Sequence, residues 1–502
     1  MNARLIKRVL LGLGALAFLL VLVEAGFQIA EERRRMGTVV EAVDVTPYAT
    51  PVGRLGIRGA LVLLPPGDSF TAANVLLEGR HIAAVTPADS LVPGVDYLDA
   101  TGRYLIPGLI DAHVHLLDSR NDLLVNLAHG VTGVFELYGK PHHLEWKAAA
   151  KTGALSPRLW VTSRKIGARE GFQADFEDWI GNHLNLTTRA EVAAAVAEHR
   201  AAGYDALKLS GYLTPEAFGW IDEAADAAGL PVVGHLDTDV GLEGLFASRM
   251  AALAHVEEVY KNTVTDFEAA TGTHPYDDPA GHLAYHDSVV VDIARQMARR
   301  GVAAMTTVWL GEQIDDQKLG DLDAFHATLP MQYVNAGVAE GTSVYGGWLA
   351  PNNTYAEPGA YDDPERARRE QAYWTAYEAA LASTVRALDA AGVTLLAGTD
   401  ANVAGAVPGD ALHRELASLV AAGLTPAAAL RAATVAPARF ADWDTGEIRE
   451  GYVADLVLLR EDPLRDIGAT RSIERVFVNG YQLDSARMAA GLAAVAAANA
   501  AY

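Results

Sequence analysis

Short apolar runs that end in a polar or charged residue recur through the middle of this chain, with amphipathic stretches between them. Runs at 105–115, 131–137, 158–163, 205–210, 231–235, 252–255, 302–308 and 393–399 have the length and continuous apolar character of strands covered on both faces. Eight such strands alternating with helices predict an α/β fold, a (β/α)8 TIM barrel over residues 105–445. Outside the barrel the pattern changes to the alternation of half-buried strands, at 59–64, 74–78 and 81–86 before it and at 455–459 and 475–479 after it. Neither group closes a core alone. Residues 52–104 and 446–484 are therefore expected to form one small discontinuous β-sandwich domain that brackets the barrel. Two stretches, 258–286 and 309–365, break the rhythm after a strand and are expected to lie over the barrel mouth as lids. The Ala-rich end, 485–502, reads as a peripheral helix.

The first 35 residues follow another rule. Arg4, Lys7 and Arg8 precede an apolar run from Val9 to Val23 that weakens toward Ala30, before the polar cluster at 31–35. Through Ala30 the run has the length of a membrane span, at about 20 residues. The expectation is a single N-terminal anchor in the cell membrane, with the catalytic domain outside the cytoplasm. The alternative is a cleaved signal peptide and a secreted or periplasmic protein.

Composition narrows the partners. The 502 residues carry 40 basic against 63 acidic side chains, a net charge of −23, which argues against nucleic acid because such binding rests on neutralising phosphates. A small-molecule substrate and a homo-oligomer are compatible with this surface. There is no cysteine, so any metal must be held by nitrogen and oxygen.

The candidate chemistry sits at strand ends. His113 and His115, two apart on a strand, project to one face and can converge on one ion. Lys208, His235, His255 and Asp400 each end a later strand-like run, at the end of a barrel where catalytic groups gather. Further from this set, His142 and His143 follow the second strand, and Arg164, Lys165 and Arg169 follow the third. Tyr212 lies four residues past Lys208. Of these, His142, His143, Arg164 and Tyr212 are candidate substrate contacts. His81, His129, His183 and His199 stand in surface-like or helical contexts and read as structural. His413 is expected to brace the site, and His274, His282 and His286 fall in the first insertion.

The run Pro107-Gly108-Leu109-Ile110-Asp111-Ala112-His113-Val114-His115, with the stretch from Gly446 to Leu458, resembles the amidohydrolase superfamily of metal-dependent hydrolases. The stretches 203–208 and 231–236 resemble its imidazolonepropionase-like and prolidase-like branch. The resemblance implies two divalent ions, zinc in the first instance, held by His113, His115, Lys208, His235, His255 and Asp400. Lys208 would carry a carbon dioxide-derived carbamate, and Asp400 would be both ligand and base. It also implies hydrolysis of an amide bond in a dipeptide or N-acyl amino acid. Two other readings compete: a one-metal enzyme that opens or deaminates a ring, and a catalytically silent binding module anchored to a membrane. The first has no need of Lys208 as a bridge, and the second predicts an eroded ligand set.

Overall fold

The computed structural model describes residues 14, 18–19, 21–27, 30, 40–179, 183–314, 317, 322–337, 363–403 and 405–502. Its centre is a parallel sheet whose strands neighbour one another in chain order: Leu109–Val114, Val131–Glu136, Arg158–Gly167, Ala206–Leu209, Val232–Gly234, Ala252–Leu253, Ala303–Met305 and Leu395–Leu396. We number these barrel strands first to eighth. Backbone bonds from the segment after the eighth strand close the ring on the first: Ala112 N–H donates to Ala397 O at 2.8 Å, and Asp400 N–H to His113 O at 2.8 Å. The expected eight-stranded barrel therefore forms. Gly398 makes the closure possible, since a Cβ there would lie 2.7 Å from His113 Cβ and 2.9 Å from His113 N.

All eight strands contribute to one buried apolar cluster that includes Ile110, Phe135, Trp160, Ala206, Val233, Ala252, Met305 and Leu396. This is the barrel interior. Side chains on a strand repeat their direction every second residue. Two steps on from Ala206 and Val233, the same inward face therefore carries Lys208 and His235.

The expected strand 105–115 divides at Gly108. Tyr104–Pro107 pairs antiparallel with Leu456–Leu459 in a second sheet, while Leu109–Val114 enters the barrel. A Cβ on Gly108 would fall 2.1 Å from Thr132 Oγ1, so only glycine lets the chain pass between the two sheets. The second sheet also holds Arg54–Leu63, Phe70–Glu78, His81–Pro87, Asp96–Asp99, Ile473–Val478, Tyr481–Asp484 and the short Thr50–Pro51. Its strands thus come from both sides of the barrel segment. The last helix, Ser485–Ala500, is capped by Asp484, whose side chain accepts from Arg487 N–H.

Two expectations are corrected. Among the described residues no helix is long and apolar enough to cross a membrane, so the anchor and the localisation built on it are not supported. Residues 1–13 and most of 28–39 lie outside the described residues. Within the described part, Glu24 interrupts the apolar run and accepts a hydrogen bond from Trp179 Nε1 at 2.8 Å, while Phe27 stacks on Trp179 with centroids 5.3 Å apart. The first expected lid is a pair of helices, Glu257–Thr271 and the start of Pro279–Arg300. They pack with the long helix Pro364–Ala391, burying Tyr260, Phe267, His282 and His286. Of the second expected lid, residues 338–362 lie outside the described residues.

Candidate metal centre

Past the strand ends the backbone is forced into uncommon conformations. Leu117, Thr307, Asp400 and Asn402 all have positive φ, at 52°, 47°, 57° and 71°. Such angles are unfavourable for residues with a Cβ, above all for β-branched threonine, and concentrate where geometry serves function. The surroundings hold them. The buried Glu415 carboxylate accepts from Thr306 Oγ1, Val308 N–H and Trp309 N–H, fixing the turn that contains Thr307.

These turns bring the six strand-end residues together. Ligand atoms of His113, His255 and Asp400, all buried, lie within 4.8 Å of one another. Asp400 Oδ1 stands 3.0 Å from His113 Nε2 and 2.8 Å from His115 Nε2. The His255 ring centroid is 4.6 Å from that of His113 and 4.9 Å from that of His235. Lys208 is fully buried on the neighbouring strand, with Asp400 among the charges that act on it.

The outward nitrogens of the histidines are engaged. His113 Nδ1 lies 3.0 Å from Ala254 O; a carbonyl only accepts, so Nδ1 carries the proton and Nε2 presents its lone pair inward. His235 Nδ1 donates to Glu258 Oε1 at 2.8 Å by the same logic, and His255 Nδ1 meets Thr307 Oγ1 at 2.8 Å. This is how proteins fix the tautomer of metal-binding imidazoles. The inward atoms are left over: His113 Nε2, Asp400 Oδ1 and Lys208 Nζ are buried without a hydrogen bond. Buried polar atoms are costly without partners. A divalent cation fits this donor set of nitrogen and oxygen.

The electrostatics agree. Burial lowers the His113 imidazole to about 4, with Lys208 adding to the effect, and holds His235 and His255 well below the usual range. All three are neutral near pH 7, the state in which they can ligate. Burial opposes ionisation of Asp400, but the His113 and His115 imidazoles outweigh it and hold its carboxyl well below the ordinary value. Burial, with Lys165 nearby, brings the Lys208 amine down to about 7.

The candidate substrate contacts are more scattered. His143 is buried and accepts from Lys140 N–H at 3.1 Å through Nδ1 while Nε2 donates to Leu117 O at 2.5 Å, so both its nitrogens serve the loop. His142 Nε2 reaches the same carbonyl at 2.9 Å and Asp118 Oδ1 at 3.3 Å. Tyr212 is half exposed, with the Arg169 guanidinium 5.0 Å over its ring. Arg164 acts on Tyr204, in the segment that leads into the fourth barrel strand. His413 is buried between Thr470 and the carbonyl of His129.

Residues that the sequence reading passed over support the centre. Besides Glu258 and Thr307, the buried Asp111 accepts from Thr399 Oγ1 at 2.7 Å, and Glu136 from Leu116 N–H at 2.5 Å and Tyr138 N–H at 2.7 Å. The signal available was a carboxylate inside an apolar strand, at Asp111 and Glu136, which burial tolerates only with partners.

The family model described as "Amidohydrolase family" matches residues 104–483. An adenine deaminase of Deinococcus deserti is 28% identical over 159 residues, 29% of this chain and 26% of that protein, so the chain spans about a quarter of that curated relative. Among solved structures, a bottromycin amidohydrolase superposes with a TM-score of 0.63 at 23% identity, covering 93% of this chain and 96% of that one. A Xaa-Pro dipeptidase with bound methionine gives 0.59 at 19%, covering 86% and 100%. At these identities the structures speak for the fold, and the family model speaks for descent. The chain belongs to the amidohydrolase family.

Proposed function

We propose that this protein is a metal-dependent hydrolase that cleaves the amide bond of a dipeptide or N-acyl amino acid. The observation that carries the reading is the inward-facing set of buried, unbonded donor atoms on His113, Asp400 and Lys208, with His255 and His235 beside them and locked from behind. His113, His115, His235, His255 and Asp400, with Lys208, would hold two divalent ions, zinc in the first instance. Bound there, the ions would supply Lewis acidity.

The chain's own groups do the rest. Lys208, neutral in part near pH 7, adds carbon dioxide at Nζ and loses a proton, giving a carbamate with two ligand oxygens where a lone buried amine now stands. Asp400, anionic at working pH, accepts a proton from the attacking water and returns it to the leaving nitrogen. The apolar side chains below close the barrel floor beneath these groups.

The test joins elemental analysis to turnover on the same preparations. The wild type is expected to hold about two ions per chain, and Lys208→Ala about one, with activity collapsed and partly restored by added short carboxylates. Asp400→Asn should keep much of the metal and lose nearly all turnover. A wild type with one ion, and a Lys208→Ala variant unchanged in metal and activity, would overturn the bridged site and leave the one-metal ring enzyme ahead.

A further inference from the structure

The third and fourth barrel strands do not pair evenly. Thr162 stands opposite Ala206, and after an irregularity Lys165 stands opposite Lys208, so three steps on one strand match two on the other. A bulge of this kind re-aims the side chains beyond it. In an even ladder Arg164 would face Lys208. Ser163 holds the irregularity in place, its Oγ accepting from Lys208 N–H at 2.9 Å and donating to Arg164 O at 2.8 Å. Thr162 and Lys165 therefore share the inward face with Ala206 and Lys208.

Lys165 Nζ lies 5.2 Å over the ring of Tyr138, whose edge in turn meets His115 with centroids 6.3 Å apart. The anionic groups that act on Lys165 are Asp400 and Glu136, across the centre, but among the described residues it is in no ion pair. The neighbouring cations differ: Lys140 is paired with Asp118 at 3.3 Å and Arg169 with Asp237 at 3.4 Å. A half-buried ammonium over an aromatic face, directed at the reacting region and lacking a counter-ion, is poised for an anion.

We propose that Lys165 receives a carboxylate of the substrate adjacent to the scissile amide, so that the site selects N-acyl amino acids or dipeptides with a free carboxylate over neutral amides. This rests on the hydrolase reading above and deepens it by naming the charge of the substrate. Lys165 is then a specificity-determining contact, and its partner is the substrate itself.

The experiment compares the zinc-loaded wild type with Lys165→Met and Lys165→Arg on N-acetyl-L-amino acids spanning the twenty side chains and on the matching C-terminal carboxamides. The wild type is expected to favour the acids at least tenfold in kcat/KM. Lys165→Met should lose at least tenfold on the acids, chiefly through KM, stay within twofold on the amides, and keep its zinc; Lys165→Arg should recover part of the preference. Equal losses on acids and amides, or an undiminished preference in Lys165→Met, would overturn the assignment. Calorimetric titration with the same compounds needs no turnover. Acids that bind the wild type at least tenfold more tightly than they bind Lys165→Met support it, even if nothing is hydrolysed, in which case the hydrolase reading alone fails. Equal binding to both, or no binding to either, overturns it.

Discussion

The carboxylate of Asp111 and the hydroxyl of Thr399 meet at 2.7 Å, joining residues 288 positions apart at the seam where the barrel closes. Asp111 also accepts from Thr399 N–H at 3.1 Å and His113 N–H at 3.2 Å. One buried side chain thus fixes the backbone beside both His113 and Asp400. Asp111→Ala takes the acceptor from His113 N–H and from the Thr399 hydroxyl, while Thr399 N–H keeps His113 O at 3.2 Å. Each such loss costs about 1–3 kcal/mol. The variant is expected to be destabilised by about 3 kcal/mol, read from denaturant unfolding. A change under about 0.5 kcal/mol, the scale of an ordinary surface substitution, would show that the seam does not depend on it.

Gly398 lies in the same seam. In Gly398→Ala the added methyl must push His113 away or lift the segment leading to Asp400, because His113 Cβ and N are 2.7 and 2.9 Å from it. Zinc affinity should drop tenfold or more, measured by competition with a chelator. Wild-type affinity in a folded variant would mean that the seam can open without moving the ligands.

Glu258 acts through His235 rather than on substrate. Its Oε1 receives His235 Nδ1–H at 2.8 Å and its Oε2 receives Leu236 N–H at 3.0 Å. Glu258→Gln keeps the shape but gives one of those donors an amide NH2 to face. Outer partners of metal-binding histidines are typically worth about 10–100-fold in affinity. The expected signature is weaker binding of one ion of the proposed pair, with the other held as in the wild type. Two ions bound at undiminished strength would remove Glu258 from this role.

His413 predicts a pH dependence of stability. Burial, with Arg471 and His129 adding to it and Asp410 opposing, brings its pKa down to about 3. The carbonyl of His129 takes Nε2–H at 2.9 Å and Nδ1 accepts from Thr470, which suits the neutral ring. In the unfolded chain a histidine titrates near 6.5, so between about 6.5 and 3 the unfolded state binds one proton more. Stability therefore falls as pH falls through that window, by up to about 1.4 kcal/mol per unit. His413→Gln, neutral throughout, should lack this component, so the stability difference between wild type and variant narrows from pH 6.5 to 5. A constant difference would count against a neutral buried ring.

Legibility in the sequence followed the range of the forces involved. Strand ends such as Gly234-His235 and Gly398-Thr399-Asp400 announce themselves because an apolar run and its polar terminus are adjacent in the chain. Partnerships across the fold carry no such mark: nothing near Glu258 shows that it will face His235, and nothing near Asp111 shows Thr399. The split at Gly108 was hidden because both halves are equally apolar and only the approach of Thr132 requires a glycine there. The N-terminal run misled because hydropathy registers length and apolarity but not the bond between Glu24 and Trp179. Arg164 and Lys165 were equal as letters; the pairing with the fourth strand separates them.

That pairing makes the third strand a selector. Two cations of different shape occupy consecutive positions, and the strand's residue count decides which one enters the pocket. Deleting Lys165 would leave Thr162, Ser163 and Arg164 opposite Ala206, Leu207 and Lys208, an even ladder that turns the planar guanidinium of Arg164 inward and exchanges a mobile point charge for a fork that grips a carboxylate at two points. A family member could thus change its substrate by losing one codon, with every ligand residue and every other strand left in place.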